Sequence, residues 1–138
     1  MYEYRCVVLE VIDGDTVDVD IDLGFGVWLR DERIRLADID TPEVRTRDLV
    51  EKQHGTLAKN FVTSYLMPGT AATLHSRSFK GKFGRILGDF SVYDNTTDSW
   101  RLLTTLLVEN RLAVPYLNSK EEMEQLHLEN RKMLNLSE

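Results

Sequence analysis

A single cysteine, Cys6, stands among 138 residues. One thiol closes no internal disulfide, so a small disulfide-stapled fold is excluded. Its neighbours Val7 and Val8 mark it as a buried thiol rather than a reactive one. No apolar run approaches the roughly 18–20 residues that span a bilayer. The opening MYEYRC has no basic region followed by an apolar stretch. The expectation is a soluble, cytoplasmic chain with no membrane partner and no export signal. Prolines number three, and there is no low-complexity tract, linker or internal repeat, which argues against a second domain. Residues 1–138 are expected to form one domain, and 42% apolar content supplies one sizeable core without metal or disulfide.

Basic charge is also short, with 17 Lys and Arg against 23 Asp and Glu and a net charge of −6. Taken whole, that opposes non-specific adhesion to a polyanion. The distribution differs from the total. Residues 1–50 carry 6 basic and 13 acidic side chains, whereas Arg77, Lys80, Lys82 and Arg85 form a basic cluster with no acid among them. A cation-seeking acidic site and a phosphate-facing basic strip can therefore lie side by side.

Residues 4–12 are β-branched and apolar, Asp13-Gly14-Asp15 supplies turn chemistry, and residues 16–22 alternate with Val17, Val19 and Ile21 on one face. This predicts a hairpin. Leu23-Gly24-Phe25-Gly26 is a second turn, and residues 27–37 give a third strand with a bulge or bend at the charged 30–33 patch. Pro42 ends the extended region, and a polar loop follows over 44–49. Leu57, Ala58, Phe61, Val62, Tyr65 and Leu66 repeat at helical spacing, stopped by Pro68-Gly69. Strands are expected over 72–77 and 85–93. A second helix is expected around Leu102–Val108, capped by Asp98 or Ser99, and a third over 121–136 with Met123, Leu126, Met133 and Leu134 inward. The order βββ-α-ββ-α-α predicts a mainly β chain with α (α+β): a five-stranded OB-type Greek-key barrel capped by three helices.

Asp13, Asp15, Asp40 and Glu43 form one constellation, able to converge on a hard divalent cation, although Asp-Gly turns are also ordinary hairpin punctuation. Arg35 and Arg85 form another, since a guanidinium fork matches the paired oxygens of a phosphate. In an extended segment Arg35 lies about 16 Å from Asp40 unless the chain folds back. A pairing of Arg35 with Asp38 and a hairpin role for Arg85 are the plain structural alternatives.

Ile12–Val17 (IDGDTV), Arg35-Leu36, Asp40-Thr41-Pro42-Glu43 and Lys82-Phe83-Gly84-Arg85, in order and spacing, resemble the staphylococcal nuclease (thermonuclease-like) family, whose fold is an OB barrel with three helices. The resemblance runs over residues 5–133. It implies a calcium-dependent nuclease acting on DNA and RNA with little sequence preference and leaving 3′-phosphate ends. Asp15 and Asp40, with the backbone carbonyl of Thr41 and support from Asp13, would ligate Ca2+. Glu43 would be the general base, Arg35 and Arg85 the phosphate clamp, and Lys82 a contact to a terminal phosphate. Phe83 stands where well-known members have tyrosine, leaving a ring without a hydroxyl against the nucleotide. Tyr116 is the stacking candidate, and a core or rim aromatic is its alternative. Arg111 replaces a glycine that ends the family's second helix, with Asn110 expected to adopt the left-handed turn instead.

His54, His75 and His127 lack metal spacing and read as surface or loop residues. Trp28 and Trp100 read as core or barrel rim. The chain is expected to be a monomer, intracellular or encoded by a mobile element such as a phage. The second reading is a catalytically inactive OB-fold module that binds single-stranded nucleic acid or a protein partner. Such a module has no use for Asp15, Arg35, Asp40, Glu43 and Arg85 together.

Overall fold

The computed structural model describes residues 2–78 and 84–138. β1 (Tyr2–Asp13) and β2 (Thr16–Gly24) pair antiparallel around Gly14-Asp15, with Asp13 opposite Thr16. Along β2, Val17, Val19 and Ile21 face inward and are buried. The intervening acids meet arginines of β3 (Val27–Leu36): Asp18 takes Arg33 at 2.8 Å and Asp20 takes Arg30 at 3.0 Å. β3 carries its expected bulge. Val19 faces Glu32 while Ile21 faces Leu29, and Asp31, at φ 53°, donates its N–H to Asp20.

β4 (Ile39–Asp40), α1 (Leu49–Tyr65), β5 (Ala71–Ser78), β6 (Ile86–Asp94), β7 (Ser99–Leu102), α2 (Leu103–Glu109), β8 (Val114–Pro115) and α3 (Lys120–Met133) follow. The main sheet runs β3-β2-β1-β5-β6-β7, and a parallel β3–β6 pairing curls its first five strands into a ring. This is the α+β OB-type barrel expected, with β7 added beyond β6 and a separate β4–β8 ladder. Closure leaves β3 and β6 no open edge at their paired ends and surrounds Val8, Val17, Val19, Ile34, Leu36, Leu74 and Phe90, all fully buried. Ala58, Val62 and Leu66 of α1 and Leu103 and Leu107 of α2 join the same core.

Several local expectations are corrected. Ser99 lies in β7, and α2 starts after Leu102 with no side-chain cap. Asn110 stays at φ −91°, its side chain donating to the Leu106 carbonyl, and Arg111 takes the left-handed position at φ 62°. The N–H groups of Arg111 and Leu112 close a Schellman turn on Val108 and Leu107. On α3 the buried residues are His127 and Asn130, while Met133 is exposed. Trp100 is exposed rather than core, and Trp28 lies half-buried beneath the Arg30 guanidinium. Cys6 is buried, which pushes its thiol up to about 12. Among the described residues no helix is long and apolar enough to cross a membrane.

Candidate active site

Arg35 and Arg85 come to one cavity because the barrel closes. In the parallel β3–β6 register Arg35 lies opposite Leu87, two residues beyond Arg85. Both arginines line a cavity of about 340 Å3 together with Asp38 and Tyr116. Arg35 is tightly held: its Nη1 donates to the Leu36 carbonyl at 2.6 Å and its Nη2 to the Ile39 carbonyl at 2.9 Å. The chain reverses after Leu36, with Asp38 at φ 67°, so Asp40 returns to the arginine. Arg35 Nη2 is 3.4 Å from Asp15 Oδ2 and 3.9 Å from Asp40 Oδ1. The alternative pairing with Asp38 does not occur, since Asp38 meets Arg77 at 3.3 Å.

Asp15 is delivered by the β1–β2 turn. A Cβ on Gly14 would stand 2.8 Å from Ala58 Cβ and 3.1 Å from Thr41 Cβ. Gly14 therefore serves close approach of the turn to α1 and Thr41. Asp15 Oδ2 also accepts the Thr41 N–H at 3.4 Å. Burial raises the Asp15 carboxyl, but hydrogen bonding from Asp13, the Arg35 charge and Thr41 outweigh it and hold the group below its ordinary range. Asp13 moves the other way, up to about 7, first through burial and then through Asp15 beside it. Negative charge is in excess here, and the raised Asp13 carboxyl is the group in which it shows.

A hard cation suits this donor chemistry, which is entirely oxygen. Among the described residues no group of three or more His, Cys, Asp or Glu is placed to hold a metal ion.

Glu43 stands on an adjoining cleft of about 490 Å3 with Asp40, Thr41, Tyr116, Lys120 and His127. Partial desolvation, then the charges of Asp15, Asp40 and Glu51, raise its carboxyl above the ordinary value, with Arg35 pulling the other way. Its backbone is set by Gly55, on which a Cβ would lie 2.5 Å from the Glu43 carbonyl oxygen and 2.8 Å from that of Pro42. This contact explains a glycine inside α1, where alanine is the better helix former by about 1 kcal/mol. Gly55→Ala should accordingly lower the melting temperature, with overpacking of about 1–3 kcal/mol exceeding the helix gain. A melt at or above that of the parent chain would show that the Glu43 backbone yields freely.

Tyr116 is exposed and borders both cavities. The β4–β8 ladder puts it there, its N–H donating to the Asp38 carbonyl at 2.9 Å. Lys82 and Phe83 lie outside the described residues. Two residues of the site escaped the sequence reading. His127 Nε2 lies 2.8 Å from Asp40 Oδ2, and Lys120 lines the Glu43 cleft. The available signal was spacing, because Lys120, Met123, Glu124 and His127 share one helical face and all line that cleft. His54 and His127 are both buried, correcting their assignment to the surface.

The site thus gathers acidic oxygens, a rigid guanidinium and a raised carboxyl around two depressions that share Tyr116 in their lining. Comparison with known proteins gives the same direction. A thermonuclease of Staphylococcus intermedius is 36% identical over 80 residues, which are 58% of this chain and 44% of that protein. The chain thus matches less than half the length of that relative. Residues 33–133 match the family model described as Staphylococcal nuclease homologue, a span reaching from β3 and Arg35 to the end of α3. That match covers most of the chain, from the end of β3 with Arg35 to α3, while β1 and β2 precede it, and the chain belongs to the staphylococcal nuclease homologue family.

Proposed function

We propose that this chain is a calcium-dependent nuclease that hydrolyses phosphodiester bonds in DNA and RNA with little sequence preference, leaving 3′-phosphate ends. The observation that carries this reading is the placement of Arg35 Nη2 at 3.4 Å from Asp15 and 3.9 Å from Asp40. A phosphate clamp and a hard-cation donor set are thereby one site. Asp15, Asp40 and the Thr41 carbonyl would hold calcium, with Asp13 supporting. When bound, calcium would neutralise phosphate charge and polarise a phosphoryl oxygen.

The protein's own groups do the rest. Arg35, fixed by two carbonyls, presents its charge without reorganising, and Arg85, just before β6, meets the same phosphate from across the cavity. Glu43 takes a proton from the attacking water, which bonds to phosphorus as the bond to the 5′ oxygen breaks. The 5′ oxygen leaves with a proton from solvent, and the phosphate stays on the 3′ side. Tyr116 offers a ring to the adjoining base, and Lys82 and Phe83 would extend the nucleotide contact.

Plasmid, single-stranded DNA and RNA incubated with calcium, magnesium or chelator test the proposal. We expect cleavage in millimolar calcium and little in magnesium, because magnesium demands near-octahedral geometry and holds its waters. Undiminished cleavage in chelator would reject metal dependence. Strand binding with no cleavage in any metal would establish the inactive OB-fold module instead.

A further inference from the structure

His127 has no part in the chemistry above, yet it touches one of the carboxylates assigned to the cation. Its Nε2 lies 2.8 Å from Asp40 Oδ2. An ionised carboxylate only accepts hydrogen bonds, so Nε2 carries the hydrogen. The ring is nearly inaccessible, with 9% of the side chain exposed. Its Nδ1 is buried without a hydrogen-bond partner, and its edge meets His54 at 6.1 Å and 82°. His54 lies fully buried behind it and donates from Nε2 to the Arg111 carbonyl, 2.8 Å away. The contact therefore spans 87 residues of sequence and ties α3 to β4 through a shielded polar bond.

Packing alone does not account for this choice. Leucine would fill the same space on α3 without burying an unpaired ring nitrogen, which is the costlier arrangement. The geometry at Asp40 supplies a reason. His127 occupies Oδ2, while Oδ1 is the oxygen turned toward Arg35 Nη2 and, through it, Asp15. A carboxylate held at one oxygen cannot rotate freely about its last bond, so its other oxygen has a fixed direction. We infer that His127 is a positioning residue that locks the rotamer of Asp40 and directs Oδ1 to the site shared with Asp15. This rests on the reading that Asp15 and Asp40 bind the cation. Hydrogen-bond partners of metal ligands commonly contribute 10- to 100-fold in metal affinity.

The test is calorimetric titration of calcium alone into the full chain, for the parent, His127→Leu, His127→Gln, Asp40→Asn and the His127→Leu/Asp40→Asn double variant, with a thermal melt of each. His127→Leu should weaken calcium binding about 10- to 100-fold. His127→Gln, whose amide N–H can replace the donor, should recover most of that loss. In the Asp40→Asn background, His127→Leu should change affinity no further. Parent-like affinity in His127→Leu would overturn the proposal. A loss in His127→Gln equal to that in the leucine variant, or a loss that persists undiminished in the Asp40→Asn background, would overturn it too by showing a structural role. Should the leucine variant fail to fold, the glutamine variant decides alone: an affinity far below the parent sinks the assignment, and a parent-like affinity with Asp40→Asn impaired upholds it. If Asp40→Asn itself binds calcium like the parent, the cation site is wrong and the positioning role falls with it. That result differs from a failure confined to His127.

Discussion

Glu43→Gln should reduce turnover by about two to four decades, the usual range for loss of a general base. Glutamine keeps the shape of the side chain but cannot accept the proton of the attacking water. Nucleotide binding should hold or tighten, because a negative charge beside the phosphate is removed. The pH profile gives a second readout. A base works only when ionised, so the parent's kcat/KM should fall as pH drops through the Glu43 value. Partial desolvation and the neighbouring Asp15, Asp40 and Glu51 place that value above the ordinary carboxylate range. In Glu43→Gln this acid limb should disappear. A variant that cleaves at the parent rate would remove Glu43 from the chemistry. Failure to bind nucleotide would show that it shapes the cleft instead.

Arg35→Lys and Arg85→Lys should each lower turnover by about two to three decades, equivalent to roughly 3–4 kcal/mol for one preorganised donor. Lysine keeps the charge but presents a point ammonium where a planar fork is needed. The two substitutions should differ in a melt. Arg35 donates to the Leu36 and Ile39 carbonyls and has 12% of its side chain exposed. Its replacement removes a brace on the reversal that returns Asp40, and some loss of stability should accompany the kinetic effect. Arg85 begins the run into β6 at the cavity edge, so its substitution should act mainly on rate. Parent-like turnover in both variants would end the phosphate-clamp assignment.

Much of the fold was legible because it is periodic. The alternation of Val17, Val19 and Ile21 fixes which face of β2 is buried, and a one-residue slip would turn all three into solvent. Gly24-Phe25-Gly26 and Pro68-Gly69 punctuate the chain where the structure turns. Errors fell where polar side chains set the local outcome. Asn110 bonds back to Leu106 and leaves the left-handed turn to Arg111. The inner face of α3 is held by His127 and Asn130 through partners 87 and 19 residues away, Asp40 and Arg111, which helical periodicity cannot show.

By itself the sequence determined the OB-type barrel class, the hairpin that presents Asp15, and the residue types able to handle a phosphate and a hard cation. These follow from local chemistry: turn residues, alternation of burial and the fixed charges of carboxylate and guanidinium. Tertiary structure decided which of those residues meet. The parallel β3–β6 closure put Arg35 and Arg85 on one cavity, the reversal at Asp38 returned Asp40 to Arg35, and the close approach of the Glu43 backbone to Gly55 set the segment that borders the cleft. Burial pushes the Asp13 carboxyl up to about 7, while hydrogen bonds and the Arg35 charge outweigh burial at Asp15 and hold it below its ordinary range. No spacing along the chain contains these pairings, because each depends on distances and desolvation that exist only once the barrel has closed.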